Sequence, residues 1–364
     1  MIRPAPPADR IARGVGVAAA RRPSDASSMR AAGTSRYLEL VCPAGTPAAL
    51  RTAIEAGADT VYCGLRDATN ARNYPGLNFD AAELAAGIRF AHDHRRQVLV
   101  AINTFPPAGG SALWHQAVDT AADCGADAVI LADLGVLDYA ATRHPGLRRH
   151  LSVQAAAANP AAIGFYRDRF GIRRVVLPRI FALAELAQLV PQLGVESEVF
   201  AFGSLGTMVE GRCYLSSFMA GRSPSMDGVC APAECVRYDP EGPDLLARLG
   251  TALLNRFGPD APRSYPTPCK ARLLTRGAEA YPFEEPVGLN AAAILPELKA
   301  AGVTALKIEG RQRGRAYVGT VVAAFRAMLD ALDRGEDPDA HAGALAALAE
   351  GGQETLSAYR KGWR

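Results

Sequence analysis

Short apolar runs rich in β-branched residues recur along the chain, separated by Ala- and Leu-rich stretches whose apolar positions return every third or fourth residue. The runs are YLELVC (37–42), DTVYCG (59–64), QVLVAIN (97–103), DAVILAD (127–133), HLSVQA (150–155), RRVVLPR (173–179), SEVFAF (197–202) and VTALKIEG (303–310). Each is near-continuously apolar, which predicts strands buried on both faces. The stretches between them, such as TPAALRTAIEAGA and AAELAAGIRFAHDH, have helical period, and Thr46 and Asp80 stand where N-caps belong. Eight β-then-α units predict an α/β fold, a (β/α)8 TIM-barrel-like architecture. An open doubly wound sheet is the alternative, but CPAGTPAAL after the first run lacks the GxGxxG spacing of a nucleotide site.

The spacing of the units breaks once. About 100 residues separate the seventh run from the eighth, and this stretch carries GRCYLSS, GVCAPAECVRY and YPTPCKARL. Long connections of this kind are usually functional when ordered. The expected organisation is a disordered extension over 1–35, a barrel over 36–335 with an irregular insertion at 203–290, and a C-terminal tail over 336–364. The extension is rich in Pro, Ala, Ser and Arg without an apolar h-region, which argues against a secretory signal; an organelle-type targeting peptide is the alternative. No apolar run is long enough to span a bilayer, and a cytoplasmic location is expected.

Charge sharpens the picture. The net formal charge is +3, but the first 36 residues hold seven arginines against Asp9 and Asp25, which leaves the rest at −2. A nucleic-acid binder is expected to carry its basic surplus in the folded part. The residues leaving the predicted strand ends are polar or reactive: Asn70, Arg72, Asn103, Gln154, Arg179, Glu309 and Arg311 are the candidate substrate-binding set, with Cys42, Asp133 and Lys307 beside them. Three arginines and several amides at one mouth point to a small, oxygen-rich anion, because the guanidinium fork matches carboxylates.

Seven cysteines without an export signal point to thiols that are buried, reactive or metal-bound rather than paired. Cys42, Cys63 and Cys124 read as small core residues, the first two opening onto the mouth. Cys213, Cys230, Cys235 and Cys269 fall in the insertion. Their spacing fits neither a zinc ribbon nor a ferredoxin run, and on spacing alone a metal site and ordinary buried cysteines remain equally open. None of the six histidines lies at a predicted strand C-terminus, and neither HExxH nor GxSxG is present.

The stretch EVFAFGSLGTMVEGRCYLSS resembles the signature of the collagenase-like peptidase family, Glu-x-Phe-x-x-Gly-Ser-apolar-Cys, four residues, Gly-x-Cys-x-apolar-Ser. Every fixed position matches except Gly206, which stands where the family has its first cysteine. VCPAGTPAALRTAIEAGADTVYCGLRDATNARNYPGLNF, GRCYLSSFMAGRSPS, YPTPCKAR, KIEGRQR and the closing TLSAYRKGW are similar to the UbiU branch, which acts in ubiquinone biosynthesis. The resemblance implies an oxygen-independent hydroxylation system rather than a peptidase. It implies a heterodimer with a UbiV-like partner, a 4Fe-4S cluster, prephenate as a carboxylate oxygen donor, and a prenylated aromatic quinone precursor as acceptor. The implied ligand positions fall on Gly206, Cys213, Cys230 and Cys269, with Cys235 the expected substitute for the lost thiol. A three-cysteine cluster and loss of the cluster are the alternatives. Two other functions remain: an RNA-base hydroxylation factor of the same wider family, and a non-enzymatic scaffold for the partner. No catalytic residue is assigned.

Overall fold

The sheet closes on itself. The computed structural model describes residues 37–205, 213–261, 263–283, 287–349 and 353–360; the N-terminal extension and Gly206 lie outside them. Seven parallel strands come first: β1 (Glu39–Pro43), β2 (Thr60–Gly64), β3 (Gln97–Ile102), β4 (Ala128–Leu131), β5 (Arg148–Leu151), β6 (Arg174–Val176) and β7 (Glu196–Ser204). The long connection then contributes an antiparallel sheet of β8 (Val236–Glu241), β9 (Asp244–Leu249) and β10 (Ala252–Phe257), a hairpin of β11 (Leu273–Thr275) and β12 (Ala278–Ala280), and β13 (Gly288–Asn290). The eighth barrel strand is β14 (Ala305–Ile308), which pairs in parallel with both β7 and β1 and so completes the ring. No helix among the described residues is long and apolar enough to cross a membrane.

Alternation along the strands explains why each run looked apolar throughout. In β1 and β2, Leu40, Cys42, Val61 and Cys63 face the layer between barrel and helices, while Val41 and Tyr62 face the interior with Leu99, Ala101, Ala128, Ile130 and Ala305. Cys42 and Cys63 therefore do not open onto the mouth; both are fully buried in the outer core. The predicted caps are present, Thr46 Oγ1 accepting from Ala49 N at 3.2 Å and Asp80 forming a capping box with Glu83 before α1 (Pro47–Glu55) and α2 (Ala81–Asp93). The fifth predicted strand ends early. Ser152 Oγ accepts from Gln154 N, which draws Val153–Ala155 out of the ladder into a 3-10 turn, and Ala156 then takes a left-handed φ of 53°. The chain expected as a tail is also tied down: β15 (Glu354–Thr355) adds to β13, and Tyr359 Oη donates to Phe200 O at 2.6 Å.

Below the mouth the barrel interior is ionic. Buried Arg174 pairs with Glu39, Glu196 and Glu198, while Glu198 also takes Lys307 Nζ at 2.6 Å. Lys307 Nζ sits 3.9 Å from the Tyr62 ring centroid, and Tyr62 donates to Ile308 O at 3.0 Å. His150, directly in register with Arg174, is 2% exposed and neither ring nitrogen finds a partner. Burial, then the Arg174, Arg148 and Lys307 charges, hold its pKa well below the ordinary 6.5.

Two outcomes follow from this interior. Glu198→Ala strands buried Lys307 and takes one of three carboxylates from Arg174, and is expected to cost about 3–5 kcal/mol in urea denaturation; a loss below about 1 kcal/mol would mean that solvent already reaches the pair. His150 stays neutral in the folded chain but takes a proton in the unfolded chain as pH falls through about 6.5. Its contribution is therefore complete above that pH and lost below it. Urea midpoints at about pH 5 and 7 should differ more for the wild type than for His150→Met, and equal differences would refute the assignment.

Candidate active site at the barrel mouth

The C-terminal ends of the strands surround a cavity with about 490 Å³ of empty space, counting the part open to solvent. Arg72, Asn103, Gln154, Arg179, Glu309 and Arg311 all line it, together with Tyr62, Ser152, Phe200 and Lys307. Asn70 stands just behind, fully buried, accepting from Arg311 Nη1 at 3.2 Å and donating to Leu65 O at 2.6 Å. All seven residues of the sequence-derived set thus meet at one place. Asp133 does not act there: it caps α4 (Leu134–Arg143) by accepting from Val136 N at 3.0 Å.

Glu309 is the centre of the arrangement. Arg72 Nη2 donates to its Oε1 at 2.6 Å and Arg179 Nη2 to its Oε2 at 2.7 Å. Burial works against the carboxylate, but Arg179, Arg72 and Lys270 hold its pKa below the ordinary value. The Arg179 guanidinium also lies 3.5 Å from the Phe200 ring centroid. Arg311 differs from the other two arginines. Among the described residues it has no carboxylate at ion-pair distance, and burial pushes its pKa down to about 10, still charged at neutral pH. Arg72, Arg179 and Arg311 thus meet in one partly desolvated space, and among the described residues Arg311 has no carboxylate of its own there. The sequence reading proposed the arginines and Lys307 but did not foresee that Arg72 and Arg179 would share Glu309, nor that Tyr62 would line the site.

The insertion lies against this mouth. Gly228, at φ +78°, packs so closely on the 70–71 backbone that a Cβ there would sit 2.2 Å from Asn70 O, and Ser225 O accepts from Phe105 N at 2.8 Å. Two residues on, Cys230 joins the thiol group. Ser216 N donates to Cys213 Sγ at 3.3 Å, and Ser216 Oγ donates to Cys230 O. Tyr265 Oη donates to Ala231 O at 2.8 Å, tying in the segment that carries Cys269, whose thiol donates to Thr267 Oγ1 at 3.7 Å. Burial raises all three thiols; Cys269 raises Cys213 further, Cys213 raises Cys230, and Cys230 raises Cys269. The Arg72 charge pulls Cys230 down while its Nη2 holds Glu309, so one arginine acts on both electrostatically.

Cys235, the expected substitute ligand, lies on the short 3-10 turn Ala233–Cys235 that follows Cys230. Its thiol is directed to Ala220 O at 3.8 Å, and it packs beside the small cluster of Ala231, Leu249, Leu254 and Ala271. Among the described residues no three His, Cys, Asp or Glu side chains converge tightly enough to hold a single metal ion. Tyr74, another residue the sequence reading passed over, lies near enough to Cys230 to lower its pKa. Among the described residues that line the cavity, Ser152 is the one serine, its Oγ accepting from Asn103 Nδ2 at 3.2 Å and Gln154 N at 3.3 Å.

Fold and site define a closed parallel (β/α)8 barrel with a cysteine-bearing insertion over a cationic mouth. The profile of Peptidase family U32 matches residues 45–360, and the chain belongs to that family. It is 30% identical over 300 residues to an uncharacterized protease of Methanocaldococcus jannaschii, covering 81% of this chain and 66% of that protein. To tRNA hydroxylation protein P1 of Bacillus subtilis it is 28% identical over 294 residues, covering 80% of this chain and 63% of the relative. It thus spans slightly less than two thirds of either relative. A solved U32 peptidase structure aligns at a TM-score of 0.46 and 14% identity, covering 79% of this chain and 97% of that one.

Proposed function

We propose that the chain is a component of an oxygen-independent hydroxylation system, with an aromatic quinone precursor of ubiquinone biosynthesis as acceptor and a UbiV-like protein as its heterodimer partner. The observation that carries this reading is the adjacency of a three-thiol group to an anion-binding mouth, joined at Arg72. The donor set suits a soft, sulfur-rich group: Cys213, Cys230 and Cys269 would hold a 4Fe-4S cluster, in which each thiolate meets a different iron and the thiols need not converge on one point. Bound there, the cluster would supply one-electron redox chemistry beside the mouth.

The rest of the work falls to the chain's own residues. Arg311 offers a charge to an incoming carboxylate, as expected for a donor such as prephenate. Arg72 and Arg179, steadied by Glu309, flank it with further N–H groups. Tyr62 and Phe200 give the hydrocarbon part of the donor an apolar wall. The shallow enclosure suits a small donor; a prenylated acceptor would approach from the insertion side or from the partner.

RNA-base hydroxylation is the second reading, favoured by the tRNA hydroxylation name of the Bacillus relative. The folded part's charge of −2 weighs against it. Expression in anaerobic cells lacking endogenous quinone and tRNA hydroxylation, with and without a UbiV-like partner, separates the two. Restored quinone with unchanged tRNA is expected, whereas restored tRNA hydroxylation alone would transfer the assignment to RNA.

The ligand assignment has its own test. Anaerobically purified protein is expected to be brown, with about four irons per chain. Cys213→Ala, Cys230→Ala and Cys269→Ala should each lose most of that iron and Cys124→Ala should retain it, while loss in Cys235→Ala would add it as the fourth ligand. A colourless wild type binding one zinc would leave only a scaffolding role.

A further inference from the structure

We propose that Gln154 is the specificity residue of the cavity, selecting carboxylates that also carry a hydroxyl: the ligand's carboxylate meets Arg311 while its hydroxyl meets the Gln154 amide. The inference deepens, and rests on, the reading of the mouth as a donor site.

Gln154 is 2% exposed and lines the cavity, yet its Oε1 has no hydrogen-bond partner among the described residues. Buried side-chain oxygens are rarely left this way, and the cost is removed when a ligand or water completes the bond. The neighbouring polar groups are already committed. Asn103 Oδ1 accepts from Ala71 N at 3.0 Å and its Nδ2 donates to Ser152 Oγ, and it gives no bond to Gln154 Oε1. Its backbone is fixed by the Ser152 cap and by the left-handed Ala156 that follows, which keeps the side chain from relaxing away.

Arg311 supplies the complementary group. It is 5% exposed, its Nη1 is directed to Asn70 Oδ1, and no described carboxylate neutralises it. Tyr62, Ile130, Val176 and Phe200 line the same cavity as these two polar groups. A compact ring or chain with a carboxylate and a separate hydroxyl matches that distribution. A hydroxyl both donates and accepts, so it satisfies the Gln154 amide in either orientation. A site of this kind discriminates against a ligand lacking the hydroxyl, because the buried amide would then be desolvated without return.

Calorimetric titration of the full chain with cis-4-hydroxycyclohexanecarboxylate and with cyclohexanecarboxylate tests the assignment. The wild type is expected to bind the hydroxylated acid about tenfold or more tightly. Gln154→Leu should abolish the preference by weakening the hydroxylated acid alone, and Arg311→Gln should weaken both acids equally, with circular dichroism and urea midpoints reporting on the fold of each variant. Binding of neither acid, equal binding of both, or a preference that survives Gln154→Leu overturns the proposal. The same preference in a wild-type chain that takes up no iron on anaerobic reconstitution would defeat the hydroxylase reading while leaving the role of Gln154 intact.

Discussion

A single buried carboxylate organises the mouth. Glu309 follows β14, yet it holds Arg72 from the loop after β2 and Arg179 from the end of β6, at 2.6 and 2.7 Å. Removing such a group from water is expensive, and only short, charge-assisted bonds on both oxygens offset it. The consequence reaches beyond stability. The interaction that fixes Arg72 and Arg179 leaves Arg311 beside them without a carboxylate of its own among the described residues. The deeper layer, where Arg174 and Lys307 meet Glu39, Glu196 and Glu198, is closer to balance and behaves as a foundation.

Two close backbone approaches connect this foundation to the insertion. Gly203, at φ +121°, brings the end of β7 against Glu309, where a Cβ would lie 2.7 Å from Glu309 O. Gly228 does the same on the loop that carries Asn70 and Arg72. The register shift between Lys307 and Ile308, where β14 meets β7, lies at the same end of the barrel, a usual place for a bulge beside a functional site. The thiol group and the cationic mouth are thus built from adjoining turns.

Much of this was legible in the sequence, for physical reasons. Strands buried on both faces leave long apolar runs, and all eight barrel strands were found from them. Polar residues at the ends of such runs must reach water or a site, which is why Asn70, Arg72, Asn103, Gln154, Arg179, Glu309 and Arg311 were recognisable as a set. What periodicity could not show was which face of an all-apolar strand points inward. In TVYCG the tyrosine lies inside and the cysteine outside, so Cys63 belongs to the outer core. Pairing was equally hidden, since nothing local tells Arg72 that its partner is Glu309. The insertion follows no repeat, and only resemblance to the family signature grouped its thiols.

The most direct test is a crystal grown and frozen without oxygen, with diffraction recorded on both sides of the iron absorption edge. The account predicts iron scattering bonded to the sulfurs of Cys213, Cys230 and Cys269, beside Arg72. Unligated thiols in iron-replete protein, or a cluster held elsewhere on the chain, would contradict it.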